Sequence, residues 1–129
     1  MNKLIAIATV LFIVVGASAR ADENEAGEKV FKQCAICHMI GEHAKNRVGP
    51  VLNGLEGRKS GTIAGFNYSN ANKSSGIVWT KSEFLDYIRD PKAKIPGTKM
   101  IFTGIKDEAQ ANALWSYLAQ FDADGERKK

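Results

Sequence analysis

Two thiols and an imidazole lie within five positions of this chain, in the stretch Cys34-Ala35-Ile36-Cys37-His38. Two cysteines three positions apart, with a histidine directly after the second, form the attachment pattern of a c-type haem. Each thiol can add across a haem vinyl group to give a thioether, and the histidine then lies beside the porphyrin, where it can bind the iron. Iron held by one histidine needs a second axial ligand to become a six-coordinate electron carrier. The pattern therefore predicts haem chemistry.

Other chemistries use the same cysteine spacing: a dithiol redox motif, half of a zinc site and a plain disulfide. A thioredoxin-like motif belongs in a βαβ setting, whereas this stretch ends an amphipathic helical pattern. A zinc site needs about four ligands, and the chain holds two cysteines and two histidines in all. Because Cys37 and His38 are adjacent, no module separates the two ligand pairs. Haem is favoured, although zinc is not strictly excluded.

The candidates for the second iron ligand are His43, Met100 and the lysines. His43 lies only five positions after His38 and would have difficulty crossing the porphyrin. Met100 lies far along the chain, in a loop shaped by proline and glycine at 94–100. A thioether sulfur is soft and neutral, so it stabilises ferrous iron and raises the potential. We expect Met100 to be the ligand, with Lys99 as the minority alternative at high pH.

The length of 129 residues corresponds to one small domain. Residues 1–21 have the pattern of a cleaved secretory signal peptide: a lysine, an apolar run over 4–15 and a small-x-small site. We expect cleavage after Ala21, with Ala19 as the alternative, and a domain over 22–129. The other interpretation is an uncleaved anchor, but the apolar run is short of the ~20 residues that a spanning helix needs.

The charge balance gives little support to binding of nucleic acid or of a membrane surface. The formal net charge is +4. Removal of residues 1–21 would take away two basic side chains, and two ionised haem propionates would bring the total near zero. We therefore expect no nucleic-acid partner.

The hydrophobic core of a domain of this size gives it only marginal stability. A large apolar cofactor that is covalently attached would therefore add to the stability.

The helical signals predict an all-α class with three main helices and short additional ones. The first should run over about 24–38, with acidic residues at its positive end. A capping box at 80–83 opens the second, which should end near Asp90, before a proline. Asp107 opens the last helix. No segment has a convincing strand pattern.

The segments between these helices are expected to be mostly loops. Residues 39–66 are rich in glycine and lack a long periodic pattern, and a loop of this length in a small domain is usually functional. Here it would wall in the haem. Residues 68–74 are expected to form a short helix, and the polar tail over 122–129 is expected to fray.

The chain resembles the class I cytochromes c, closest to the bacterial cytochrome c2 and mitochondrial cytochrome c branch. The resemblance covers residues 25–121 and rests on a set of motifs. They are Cys34–His38, Gly49-Pro50, Gly57-Arg58-Lys59, Gly65-Phe66-Asn67-Tyr68, Asn72, Trp79, Tyr87 and Ile95-Pro96-Gly97-Thr98-Lys99-Met100. The resemblance implies a small all-α fold wrapped around one covalently bound haem c.

The resemblance also implies roles for single residues. Cys34 and Cys37 would carry the thioethers, and His38 and Met100 would be the axial ligands. The Pro50 carbonyl would accept the other imidazole N–H of His38 and fix its tautomer.

A polar shell around the haem is implied in the same way. Its expected members are Tyr68, Trp79 and Arg58 near a propionate, and Tyr87, Asn72 and Thr98 beside the ligand sulfur. The first and last helices would cross, with Gly27 and Phe31 against Leu114 and Tyr117. Asn46 stands where many relatives have a histidine that joins neighbouring loops, which leaves that contact open.

Relatives often surround the exposed haem edge with lysines, which dock partners. The basic residues at matching positions here are Lys45, Arg47, Lys92, Lys99 and Lys106. Other positions that are basic in the mitochondrial branch hold Glu28, Gln33, Ala93 and Asp107. We therefore expect a basic docking patch with weaker electrostatic steering than a full ring would give.

The function that the resemblance implies is that of a soluble, monomeric one-electron carrier in the periplasm, and not of an enzyme. Its donor would be a quinol:cytochrome c oxidoreductase of the bc1 type, and its acceptor a terminal oxidase or a photosynthetic reaction centre. One alternative is an enzyme or sensor with an open iron position, for which the sequence shows no distal histidine–arginine pair. Another is a dedicated donor to one periplasmic enzyme, which differs only in its partner.

Overall fold

The computed structural model describes residues 16–129. Its helices are α1 (Gly16–Phe31), α2 (Asn70–Ser74), α3 (Lys81–Arg89), α4 (Pro91–Lys94) and α5 (Glu108–Ala119). Within the described residues the only β-type pairings are two isolated antiparallel bridges, Lys59 with Val78 and Phe121 with Arg127. The predicted all-α class is confirmed.

The predicted signal peptide falls mostly outside the described residues, and its cleavage stays a prediction. Its last six residues belong to α1, which is therefore already helical at Gly16 and does not start near residue 24 as expected. Residues 17–23 are mainly alanine, arginine and acidic residues, which continue a helix without a break. No helix within residues 16–129 has the length and hydropathy needed to cross a membrane.

The predicted end of α1 is also wrong, because the helix stops at Phe31 and not near residue 38. Beyond it, the backbone N–H of Cys34 donates to the Phe31 carbonyl (2.8 Å), and that of Cys37 donates to the Cys34 carbonyl (3.0 Å). Bonds to the carbonyl three positions back tighten the chain into turns. The attachment motif thus lies on successive turns just beyond the end of α1.

Side-chain caps fix the starts of the later helices. The Thr80 hydroxyl accepts from the Glu83 N–H (3.3 Å) at the start of α3, and the Asp107 carboxylate accepts from the Gln110 N–H (2.8 Å) at α5. Both starts agree with the sequence prediction. The short helix α4 was not predicted; Asp90 caps it, and a proline occupies its first turn.

Helices α1 and α5 cross at Gly27. A β carbon at this position would collide with the Ala113 carbonyl and the Tyr117 Cβ. One turn on, the Phe31 and Tyr117 rings pack with their centroids 5.4 Å apart. Leu114, on the same stretch of α5, has no exposed surface. The crossing that the sequence implied is therefore present, and glycine allows its close approach.

The polar tail does not fray as predicted. The Asp122 N–H donates to the Glu126 carbonyl (2.9 Å), and the Lys128 N–H donates to the Gln120 carbonyl (2.8 Å). Gly125, at φ +84°, makes the turn between them and packs against the loop that begins at residue 41. These contacts are backbone pairings between segments that have no apolar pattern, which explains why the sequence did not indicate them.

The close crossing of α1 and α5 gives a stability prediction. Gly27→Ala should lower the free energy of unfolding of the haem-loaded protein by about 1–3 kcal/mol, because the new methyl group meets backbone that cannot move aside. The measurement is urea unfolding followed by circular dichroism. Ala26→Gly, at the exposed neighbouring position, is the control for helix propensity and should cost about 1 kcal/mol. Stabilisation by Gly27→Ala would contradict the packing described here.

Candidate functional site

The described residues enclose an apolar cavity of about 520 Å³, a size typical of cofactor and ligand sites. Its floor is formed by Leu114 (0% exposed), Leu118 (2%) and Ile88 (3%), on α5 and α3. All the expected covalent, axial and pocket residues line this one cavity. They are Cys34, Cys37, His38, Pro50, Arg58, Tyr68, Asn72, Trp79, Tyr87, Thr98 and Met100.

The imidazole of His38 is held by the loop that follows it. Its Nδ1 lies 2.7 Å from the Pro50 carbonyl oxygen, and since a carbonyl only accepts, Nδ1 carries the hydrogen. The lone pair is then on Nε2, which is free to bind a metal. A β carbon at Gly49 would collide with the ring, so the glycine lets the loop cover it. Burial lowers the pKa of His38, which favours the neutral imidazole that ligates metals.

The two cysteines are free, half-buried thiols at the cavity. Burial, with a smaller contribution from Cys37, raises the pKa of Cys34 to about 11. Redox-active dithiols instead have lowered pKa values, so the dithiol alternative loses support. Within residues 16–129, no group of three or more His, Cys, Asp or Glu side chains is arranged to hold a metal ion. The zinc alternative therefore lacks a ligand set in that part of the chain.

The thioether of Met100 lies beside a short polar network. The Tyr87 hydroxyl donates to the Met100 sulfur (3.3 Å) and lies 3.4 Å from the Thr98 hydroxyl. The Met100 N–H donates to the same Thr98 hydroxyl (3.3 Å). Burial raises the pKa of Tyr87 above its usual value, so the phenol keeps the proton that it donates. Asn72 lines the same cavity, where its side-chain oxygen accepts from Ser69 (2.7 Å).

A second polar group lies around Arg58. Its guanidinium donates to the carbonyls of Val51 (3.1 Å) and Asn53 (2.9 Å), which fixes it against the loop. The Tyr68 oxygen accepts from the Ile63 N–H (3.2 Å), so its own O–H hydrogen remains available to donate. The Arg58 carbonyl accepts from the backbone N–H of the buried Trp79 (2.9 Å).

Asn46 makes the contact that the sequence left open. Its amide nitrogen donates to the Ala64 carbonyl (3.0 Å), and its amide oxygen accepts from the Val51 N–H (3.0 Å). One side chain therefore joins two loops, and the second bond falls directly after Pro50. A side-chain amide offers both a donor and an acceptor, which is the signal that would have predicted this role.

The predicted docking residues are only partly gathered at the cavity. Lys99 lines it and donates to the Asn67 carbonyl (3.4 Å). Arg47 donates to the Ala35 carbonyl (3.3 Å), beside the attachment turns. Lys45 and Lys92 are exposed but do not line the cavity. Lys106 donates to the Arg89 carbonyl at the end of α3.

The sequence analysis missed three exposed aliphatic side chains that line the same cavity: Ile36, Val48 and Ile101. The feature of the sequence that could have identified them is their position. Each lies within two residues of a predicted ligand or docking residue, and none falls on a helical stripe that would bury it.

The site residues fit a covalently attached haem. Two thiols, a neutral imidazole with a free Nε2 and a thioether sulfur all face one apolar cavity. Thioether formation uses the thiols, and the nitrogen and sulfur are ligands that haem iron accepts. A helical domain with this arrangement is a c-type haem protein.

Comparisons with known proteins agree with that class. The cytochrome c family model matches residues 24–122. Cytochrome c2 of Blastochloris viridis is 61% identical over 128 residues, covering 99% of this chain and 100% of the relative. Cytochrome c-550 of Nitrobacter winogradskyi is 59% identical over 104 residues, covering 81% of this chain and 95% of the relative.

A solved structure supports the fold. Cytochrome cH from Methylobacterium extorquens superposes with a TM-score of 0.70 at 42% identity, covering 74% of this chain and 95% of that chain. The chain belongs to the cytochrome c family. It is accordingly an electron-carrying haem protein with one covalently bound haem c.

The contact between Tyr87 and the sulfur gives a prediction for the site. Tyr87→Phe should lower the free energy of unfolding by about 1 kcal/mol, since it removes one buried hydroxyl and its hydrogen bonds. With the Met100 sulfur on the iron, as proposed below, the variant should also lose the far-red sulfur-to-iron absorption band at a lower urea concentration than the wild type does. Tyr117→Phe, which removes a hydroxyl at the helix crossing, should leave that band unchanged. Equal effects of the two variants on the band would contradict the role given to Tyr87.

Proposed function

We propose that the protein is a diffusible one-electron carrier in which His38 and Met100 are the axial iron ligands. Cys34 and Cys37 would carry the thioethers. The observation that carries the proposal is that both ligand side chains line one apolar cavity, and each is held by its own hydrogen bond. Nδ1 of His38 donates to Pro50 (2.7 Å), and the sulfur of Met100 accepts from Tyr87 (3.3 Å).

This arrangement suits electron transfer because the ligand side chains are held in the same positions in both oxidation states of the iron. When bound, the haem iron supplies one-electron Fe(III)/Fe(II) chemistry. The Pro50 carbonyl and Gly49 keep the His38 ring in one orientation, so that its nitrogen need not move between the two states. The aliphatic floor of the cavity is at most 3% exposed and offers water no hydrogen-bonding side chain. Fixed ligands and a dry pocket both keep the reorganisation that accompanies electron transfer small.

The rival function is an enzyme or sensor with an open iron position. An enzyme that uses peroxide at such a site would need a general acid or base beside the iron, most often a histidine and sometimes a carboxylate. The described lining of the cavity includes no aspartate or glutamate, and its one histidine is His38. The other histidine, His43, is exposed and lies outside the lining. The carrier function is therefore better supported than a peroxide-using enzyme, and carbon monoxide binding, measured below, separates it from a sensor.

The proposed setting is the periplasm, after removal of residues 1–21, with the protein as a soluble monomer. The proposed donor is a quinol:cytochrome c oxidoreductase of the bc1 type, and the acceptor a terminal oxidase or a reaction centre. The resemblance to cytochromes c2 and c-550 supports this choice. A dedicated donor to one periplasmic enzyme would use the same site and would differ only in its partner. Arg47 and Lys99 are the basic residues placed to steer the approach.

Replacement of the proposed sulfur ligand tests the axial assignment. Met100→Leu keeps the side-chain volume but removes the donor atom. The midpoint potential should fall by on the order of 0.1 V or more, within the roughly 0.8 V range that axial ligands span. The reduced protein should also bind carbon monoxide. Redox titration and optical spectra measure both effects.

Met39→Leu is the matched control, because it makes the same substitution beside His38. It should leave the potential and the carbon monoxide response close to those of the wild type. An unchanged potential in Met100→Leu would show that the iron uses another ligand.

A further inference from the structure

One buried asparagine lies outside the haem cavity. Asn53 is 7% exposed, and the described lining of the cavity does not include it. Its amide oxygen accepts from the Gly41 N–H (2.8 Å), and its amide nitrogen donates to the Gly41 carbonyl (2.9 Å). A side-chain amide offers a donor and an acceptor side by side, so Asn53 can hold both polar groups of one backbone residue. We call this pair of hydrogen bonds the Asn53 clamp.

The Asn53 clamp lies at one end of a pairing between segments 37–41 and 49–53. Three further hydrogen bonds make up the pairing, in this order: the Gly49 N–H to the Cys37 carbonyl (2.9 Å), Nδ1 of His38 to the Pro50 carbonyl (2.7 Å) and the Leu52 N–H to the Met39 carbonyl (3.0 Å). The bond that orients His38 is therefore flanked on both sides. The clamp closes the pairing where the two segments would otherwise be free to separate.

The C-terminal tail covers the Asn53 clamp. Gly125 has a φ of +84°, and a β carbon there would collide with the Gly41 carbonyl and lie 2.6 Å from the amide nitrogen of Asn53. The residue after Asn53 is also held by the tail, because the Gly54 N–H donates to the Phe121 carbonyl (3.3 Å). The tail thus contacts both partners of the clamp.

We propose that Asn53 is a positioning residue for the iron ligand His38, and that the turn at Gly125 keeps the clamp closed. The inference rests on the axial ligation proposed above. A hydrogen bond from the second ring nitrogen of a ligating histidine fixes the ring and raises its basicity. Asn53 acts on this bond through the backbone, because its clamp on Gly41 keeps the Pro50 carbonyl in front of the imidazole.

The test measures the His38 bond in the haem-loaded protein. Proton NMR of the ferrous form gives the rate at which the Nδ1 hydrogen exchanges with solvent, and redox titration gives the midpoint potential. Asn53→Leu removes both bonds of the clamp, whereas Asn53→Asp keeps the acceptor and loses the donor. Gly27→Ala is the control, because it destabilises the fold at the crossing of α1 and α5 and leaves the clamp intact.

In both Asn53 variants the Nδ1 hydrogen should exchange about tenfold faster than in Gly27→Ala, since buried polar groups left unpaired favour local opening. The midpoint potential of both should rise, because a weaker bond to Pro50 makes the imidazole of His38 a poorer donor to Fe(III). Gly27→Ala should keep the potential of the wild type.

Gly125→Ala tests the same inference if the Asn53 variants fail to fold around the haem. Its matched control is Gly76→Ala, since Gly76 also has a positive φ (+69°) but a β carbon there would meet nothing within 4 Å. Both variants carry backbone strain, and only Gly125→Ala presses on the clamp. Gly125→Ala should therefore show the faster exchange and the higher potential.

Two results would overturn the role of Asn53. Asn53 variants with the exchange rate and potential of Gly27→Ala would show that the residue only stabilises the fold. Equal exchange and potential in Gly125→Ala and Gly76→Ala would show that the tail does not act on the His38 bond. A different failure concerns the proposed function: wild-type His38 ring hydrogens without the large ring-current shift of an axial ligand would overturn the ligation itself.

Discussion

The hydrogen bond from His38 to the Pro50 carbonyl is the contact on which the rest of the site depends. It fixes the imidazole tautomer and leaves Nε2 as the only nitrogen that can bind the iron. The carbonyl is itself held in place, because Asn46 accepts from the next backbone N–H and Arg58 donates to the next carbonyl. The long glycine-rich loop is thus organised around the imidazole of His38, the proposed iron ligand.

The helices position the remaining residues of the cavity. The crossing of α1 and α5 at Gly27 joins the helix that leads into the attachment turns to the helix that carries Leu114 and Leu118. The two thiols and the two leucines line the same cavity. The chain after α4 then brings Met100 to the same cavity, where Tyr87 of α3 donates to its sulfur. Three segments that are distant in sequence therefore meet at one apolar cavity, which would hold the covalent haem.

The attachment motif and the caps of α3 and α5 each act over short distances, and the sequence therefore predicted them. The end of α1 was not predictable in the same way, because the turns at Cys34 and Cys37 depend on hydrogen bonds three positions back that compete closely with the helical ones. The fold of the tail depends on Gly125 packing against a distant loop. Ile36, Val48 and Ile101 line one cavity only because three separated segments converge there.

The most direct test of the account is an optical spectrum of the purified wild-type protein in both oxidation states, with carbon monoxide added to the reduced form. Ligation by His38 and Met100 predicts a low-spin spectrum, a weak far-red band from sulfur-to-iron charge transfer in the oxidised form, and no response to carbon monoxide. High-spin character or ready binding of carbon monoxide would show an open iron position. That result would contradict the closed, two-ligand site and favour an enzyme or a sensor.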